Sequence, residues 1–157
     1  MGANVVGIAL LLALGGLLLA AGIEDARRRT IANGLNAAVA LLAPAWWWAQ
    51  GLSLWPDVPV QLAFAAIVLL VFAGAFALGL MGGGDVKLIA ALALWLPAGP
   101  FVALLMVMSI AGGVVTLLMM AERRWRPAET PLEIPYGVAI ALAGLLALRE
   151  PILNQFS

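Results

Sequence analysis

Long apolar runs fill most of this chain, and only short polar links separate them. Of its 157 residues, 65% are hydrophobic and 10% are charged. A soluble domain of this size carries about 25% charged residues to cover its surface. The chain has too little polar surface to enclose a water-soluble core. We therefore predict an all-α integral membrane protein whose main solvent is lipid.

The lengths of the apolar runs predict a bundle of about six transmembrane helices. A helix needs about 20 apolar residues to cross a hydrocarbon layer about 30 Å thick. The runs cover residues 3–23, 34–49, 60–81, 86–96, 101–121 and 136–148. Their links leave no room for a second domain, so residues 1–157 are expected to form a single transmembrane domain. The first run has no basic residues before it, so we interpret it as a retained span.

Basic residues indicate the orientation of the bundle, since short cytoplasmic loops are enriched in Lys and Arg. Seven of the eight Lys and Arg residues fall at 27–29, at Lys87 and at 123–126. With six alternating spans, these three places lie on one face. The opposite links, 51–59 and 96–100, contain neither residue type. We therefore expect a multi-pass membrane protein with both termini outside.

Four tryptophans cluster near the outer end of the second predicted span: Trp46, Trp47, Trp48 and Trp55. Such a cluster is typical of an aromatic belt at the membrane interface. A platform for a sugar or a cofactor is the less common alternative. We assign these tryptophans to the belt and give them no catalytic role.

The chain contains no Cys and no His, which excludes several kinds of catalytic site. The excluded sites are those that use thiol nucleophiles, Cys/His zinc ligands or imidazole bases. Hydrolysis would need carboxylates, or the single lysine, Lys87, with a serine. Ser53 lies on the opposite face and Ser109 near the middle of a span, which disfavours such a dyad. We expect no metal and no cofactor, and without a basic stripe we expect no nucleic-acid partner.

Two aspartates have the most informative surroundings. Asp85 follows Gly82, Gly83 and Gly84 at the start of an apolar run. An acid beside a membrane span usually marks function, and glycines let another backbone approach closely. The simpler alternative is an aspartate that caps the fourth helix. Asp25 ends the first run beside three arginines, where an acid is often only solvated.

The predicted topology places Asp25 and Asp85 at the same cytoplasmic face. Two neighbouring carboxylates can share one proton, so that one acts as a base toward water and the other as an acid. Such a pair hydrolyses peptides without His, Cys or metal. Two other classes stay open at this point. One is a small proton-coupled transporter that uses the same aspartates, and the other is an inactive assembly scaffold.

Three motifs resemble those of one family of membrane proteases. The sequence M-G-G-G-D-V-K-L at 81–88 matches a G-x-G-D motif. The stretch D-A-R-R-R-T-I-A-N at 25–33 resembles an aspartate followed by basic residues and I-P-N, with Ala32 in place of the proline. The stretch I-P-Y-G at 134–137 precedes the last run. Together they resemble the type IV prepilin peptidases, which are aspartic membrane proteases.

This resemblance implies an intramembrane aspartic endopeptidase with Asp25 and Asp85 as its catalytic pair. It also implies an active-site loop made by Gly82, Gly83, Gly84 and Lys87. The substrate would be a prepilin with a basic leader ahead of an apolar helix. Cleavage would occur at the cytoplasmic face of a bacterial inner membrane.

The length of the chain resembles one form of the family. Longer prepilin peptidases carry a cytoplasmic insertion with paired C-x-x-C motifs and methylate the new pilin N-terminus. This chain has about ten residues in that place and no cysteine. It therefore resembles the short CpaA/TadV type, which serves Flp/Tad pili and lacks the methyltransferase insertion.

The fourth run is too short to cross the membrane. Only 11 residues separate Asp85 from Pro97, about 16 Å of helix at about 1.5 Å per residue. If Pro97 marks the outer boundary, Asp85 lies below the cytoplasmic surface. Irregular backbone at that depth must be buried or must line a water-filled cavity. We therefore predict that the three glycines line a wet pocket; the alternative is a helix that continues through Pro97 and Pro100.

Overall fold

Six helices account for most of the chain that the computed structural model describes, residues 2–125 and 136–148. They are α1 (Gly2–Arg28), α2 (Asn33–Ala49), α3 (Asp57–Ala77), α4 (Gly83–Leu92), α5 (Ala98–Trp125) and α6 (Tyr136–Ala147). These ranges contain no strand, so the predicted all-α class is confirmed. By length and composition, α1, α3 and α5 can each cross a membrane. The count of six spans stays a prediction.

The helix boundaries follow local signals for chain reversal. Gly51 and Gly79 both have a φ of +71°, the left-handed conformation that commonly ends a helix. The first helix continues to Arg28, beyond the predicted end at residue 23. Asp25 therefore lies on the side of a helix and not in a loop. The link 126–135, with Arg126 and the first half of the I-P-Y-G motif, lies outside the described residues.

The short helix α4 lies among its neighbours and is buried along most of its length. It packs against α2, α3 and α6, while α6 also packs against α1 and α5. Leu88 and Ile89 of α4 are fully buried. By contrast, Leu70 and Val71 of α3 are exposed, as expected for side chains that face lipid.

Small residues let α1 and α6 approach each other closely. A Cβ added to Gly144 would lie 2.8 Å from Leu18, and one added to Gly22 would lie 3.0 Å from the Ala141 side chain. Close approach of this kind is how helices pack inside membranes. It brings the C-terminal end of α1, which carries Asp25, against the N-terminal end of α6.

The chain turns sharply after α4, and we call residues 93–96 the 93–96 turn. All four of its carbonyl groups accept hydrogen bonds, at 2.7 to 3.2 Å, from side chains of α2 and α3: Ala93 and Leu96 from Gln61, Leu94 from Trp47, and Trp95 from Trp46. The N–H groups of this turn bond back to the last carbonyls of α4, but its own carbonyls have no partner within the helix. In hydrocarbon each unsatisfied group costs several kcal/mol. These side chains let α4 end inside the bundle.

The predicted aromatic belt is wrong for two of its four members. Trp46 and Trp47 are buried, with 6% and 8% of their surface exposed, because both indoles point toward the 93–96 turn. Trp48 and Trp55 are exposed, so the belt prediction stands for them. The Trp46 ring also stacks on Trp95, with centroids 5.7 Å apart.

We expect Trp47→Phe to destabilise the fold, since the Leu94 carbonyl loses its indole donor. Loss of one such hydrogen bond in a membrane bundle costs about 1 kcal/mol. Gln61→Leu removes two bonds and should cost about twice as much. Thermal unfolding in detergent measures both effects. Trp48→Phe is the matched control, and equal stability of the Trp47 and Trp48 variants would contradict this assignment.

Candidate active site

Asp25 is buried where α1 meets the start of α6. Its exposed fraction is 4%, and its Oδ2 accepts a hydrogen bond of 3.2 Å from the backbone N–H of Val138. The first N–H groups of a helix have no partner within the helix and attract anions. The neighbouring Gly137 makes room, since a Cβ there would lie 2.8 Å from both Cβ and Cγ of Asp25.

Asp85 is the third residue of α4 and is also buried, with 8% of its surface exposed. The helix begins after Gly82, and no side chain caps it. Asp85 is therefore not the N-cap residue of α4, although its carboxylate accepts a hydrogen bond from the backbone N–H of Gly82. Its Oδ1 has no hydrogen-bond donor among the residues that the structure describes. A Cβ on Gly82 would lie 2.9 Å from Oδ2, so this glycine leaves space for the carboxylate.

The three glycines at the start of α4, Gly82 to Gly84, form what we call the glycine turn, and it contacts the link between α1 and α2. A Cβ on Gly84 would lie 3.2 Å from N, O and Cβ of Ile31. The backbone before α2 therefore passes directly over the start of α4. Glu24 holds that link in place, because its Oε2 accepts a hydrogen bond of 3.0 Å from the N–H of Ala32. The contact between Gly84 and Ile31 brings the surroundings of the two aspartates together.

Both aspartates line one cavity of about 190 Å³. Its walls come from the end of α1, the following link and the glycine turn: Asp25, Arg29, Thr30, Ile31, Gly82, Gly83, Gly84 and Asp85. Asp25 is close enough to interact electrostatically with Asp85. A cavity of this size has room for several water molecules. The structure thus joins the predicted catalytic pair and the three predicted loop glycines.

Lys87 does not line this cavity, unlike the other residues predicted for the active-site loop. Its side chain points away, and its Nζ donates a hydrogen bond of 2.7 Å to Oδ1 of Asn33. The disfavoured Ser–Lys dyad gains no support. Ser53 donates to Asp57 and Ser109 to the Leu105 carbonyl.

Sequence reasoning missed Asn36, which touches the site from α2. Asn36 is 5% exposed, and its Nδ2 donates a hydrogen bond of 3.1 Å to the carbonyl of Gly84. The sequence did contain a signal for Asn36, because it is an amide side chain within an otherwise apolar run. The roles of Gly137 and Val138 were missed too, although the I-P-Y-G motif ends at Gly137.

A family model supplies an independent comparison. The model for the type IV leader peptidase family matches residues 12–117. The chain belongs to this family. The matched region runs from α1 into α5 and contains both aspartates and the glycine turn. No curated protein and no solved structure matches the chain.

Membership in the leader peptidase family confirms the predicted resemblance at family level. Family membership supports peptidase activity on type IV leader sequences. Together with the long apolar helices, it also supports a membrane protein. The roles of individual residues stay predictions. Within the described ranges, no group of three or more acidic residues is placed to hold a metal ion.

Proposed function

We propose that this leader peptidase is an aspartic endopeptidase that removes the leader from type IV prepilins. Asp25 and Asp85 are its catalytic pair, and Gly82, Gly83 and Gly84 form the loop beside them. The observation that carries the proposal is the shared cavity, in which two buried carboxyl groups from distant parts of the chain meet.

The proposed chemistry follows from two carboxyl groups that share one proton. The ionised carboxylate takes a proton from water as the water oxygen attacks the scissile carbonyl carbon. The protonated partner donates to the carbonyl oxygen. When the C–N bond breaks, the carboxyl that holds the proton donates it to the leaving amine, and the other carboxylate takes a proton from a hydroxyl of the tetrahedral intermediate as the new carboxyl product forms. The pair again shares one proton. Oδ1 of Asp85 has no donor among the described residues, so no hydrogen bond from these residues competes with such a transfer.

We further propose that cleavage occurs at the cytoplasmic face of an inner membrane, in a bundle of six spans with both termini outside. Support comes from the basic residues near the cavity. Arg27 and Arg28 are exposed, Arg29 lines the cavity, and exposed Lys87 is bonded to the start of α2. Basic residues at one end of a bundle mark its cytoplasmic side.

The substrate is proposed to be an Flp/Tad-type prepilin, as expected for the short CpaA/TadV form. The chain has no cysteine, so it cannot form the paired C-x-x-C motifs that accompany methylation in longer relatives. The transporter alternative gains no support from the family match.

Co-expression with an Flp-type prepilin tests this function. We expect loss of the leader from the prepilin, and an unmethylated mature N-terminus when S-adenosylmethionine is present. Mass spectrometry of the mature pilin reads both results. An uncut prepilin would overturn the protease assignment. A product heavier by one methyl group would overturn only the short-form assignment.

A further inference from the structure

Helices α2 and α3 both pack on α4, and a groove of about 530 Å³ runs between them. Six alanines from the three helices line it: Ala37, Ala40, Ala65, Ala66, Ala90 and Ala91. We call it the alanine groove. Small side chains allow another helix to approach closely within a membrane. The groove extends from Lys87 of α4 to Leu94 in the 93–96 turn, about 10 Å or two helical turns.

One end of the alanine groove adjoins the candidate active site. Asn36 lines the groove and donates a hydrogen bond to the Gly84 carbonyl, while Gly84 lines the catalytic cavity. The groove and the cavity are therefore separated by a single stretch of backbone. Lys87 and Asn33 lie at the same end of the groove.

The oxygen of the Asn36 amide lacks a hydrogen-bond partner, and this suggests that a ligand supplies one. Its Oδ1 is buried and has no hydrogen-bond donor among the residues that the structure describes. A buried acceptor without a donor is costly, above all in an apolar environment. The first turn of any helix has donors without acceptors, because its N–H groups have no partner within the helix. A side-chain oxygen that accepts from such an N–H is a common way to satisfy it.

We propose that the alanine groove binds the apolar helix of the prepilin, with the helix N-terminus at Asn36. This inference rests on the proposed function. An apolar helix that reaches the groove from lipid packs on the alanines, and its first N–H groups meet Asn36 Oδ1. The leader, which precedes that helix, then passes Gly84 toward Asp25 and Asp85. The groove thus selects substrates whose cut bond lies just ahead of an apolar helix.

Bulky substitutions in the groove test the proposal with two substrates. One substrate is the whole prepilin, and the other is a short peptide across the leader junction that lacks the apolar helix. Ala66→Phe and Ala37→Phe fill the groove. Both should lower the rate for the whole prepilin, relative to that for the peptide, by about tenfold, the effect of a typical overpacked contact. Ala63→Phe and Ala45→Phe are matched controls, since both alanines are exposed on the same helices and do not line the groove.

The outcomes separate the groove from the proposed function. If the ratio of the prepilin rate to the peptide rate were the same in the groove variants and the controls, the groove proposal would be overturned. The peptidase assignment would stand, and the result would indicate that lipid alone fills this surface. Equal loss on both substrates would also overturn it, because the substitutions would then act on the catalytic cavity. Failure of the unaltered protein to cut either substrate would refute the proposed function itself.

Disulfide trapping gives a direct measurement, because the chain has no cysteine of its own. Ala66→Cys in an Asp85→Asn background is paired with single cysteines placed along the prepilin helix. We expect crosslinks at positions three or four residues apart, on one face of that helix. Ala63→Cys should give few. Crosslinks of equal yield from both positions would show random collision in the membrane and overturn the proposal.

Discussion

Asp85→Asn is expected to abolish leader cleavage, and Asp25→Asn should do the same. An asparagine side chain keeps the size of the aspartate but can neither take a proton from water nor return one to the leaving amine. Loss of one member of a catalytic unit costs about 10³-fold or more in rate. Cleavage of a co-expressed prepilin, compared at matched protein levels in the membrane, measures the effect.

Glu24→Gln provides the control for the aspartate variants. Glu24 is adjacent to Asp25 in the chain but accepts a backbone hydrogen bond from Ala32, which a glutamine oxygen also accepts. Its cleavage rate should stay near that of the unaltered protein. The double variant of Asp25 and Asp85 should be no slower than either single one, because the pair acts as a unit. Normal cleavage by Asp85→Asn at normal expression would eliminate the aspartic mechanism.

Gly137→Ala is expected to lower cleavage by about 100-fold, the cost of misplacing a catalytic group by about 1 Å. The added Cβ would lie 2.8 Å from Cβ and Cγ of Asp25 and from Cδ1 of Ile31. Asp25 must then move away from the Val138 N–H. The same clash should lower the free energy of unfolding by about 1–3 kcal/mol. Cleavage per folded molecule, with thermal unfolding measured in parallel, separates the two effects.

Gly144→Ala is a matched variant for this experiment. It lies on the same helix, and its Cβ would lie 2.8 Å from Leu18 Cδ1, far along α6 from Asp25. It should reduce stability but not the activity of the folded protein. If both variants lowered activity in proportion to their loss of stability, Gly137 would have no specific role at Asp25.

The positions of the helices could be predicted because lipid imposes strong rules on sequence. Apolar runs, Gly51 and the glycines at 82–84 mark the helices and their ends in this chain. The end of α1 was predicted too early, since the criterion was apolarity. Charged residues such as Glu24 and Arg27 continue a helix readily once it leaves the hydrocarbon.

That Asp25 and Asp85 lie together could be predicted, because acids are rare in this chain and the neighbours of these two are distinctive. Their supporting residues could not. Gly137 and Asn36 act through the rotation of α6 and α2, which sequence periodicity does not define in helices that are apolar on all sides. Trp46 and Trp47 were misassigned for the same reason. Adjacent tryptophans on a helix point about 100° apart, and only packing shows which of them face inward.

Helix α4 is attached at both ends, and this makes its length a functional quantity. Asn36 holds the carbonyl of Gly84 near one end, while Gln61, Trp46 and Trp47 hold the 93–96 turn at the other. Inserting or deleting one residue between these attachments would shift one end by about 1.5 Å and rotate it by about 100°. Either Asp85 would face away from Asp25, or the turn would lose its donors. Many apolar side chains could therefore replace one another along α4, whereas its ten residues set the register between Asp85 and the far side of the bundle.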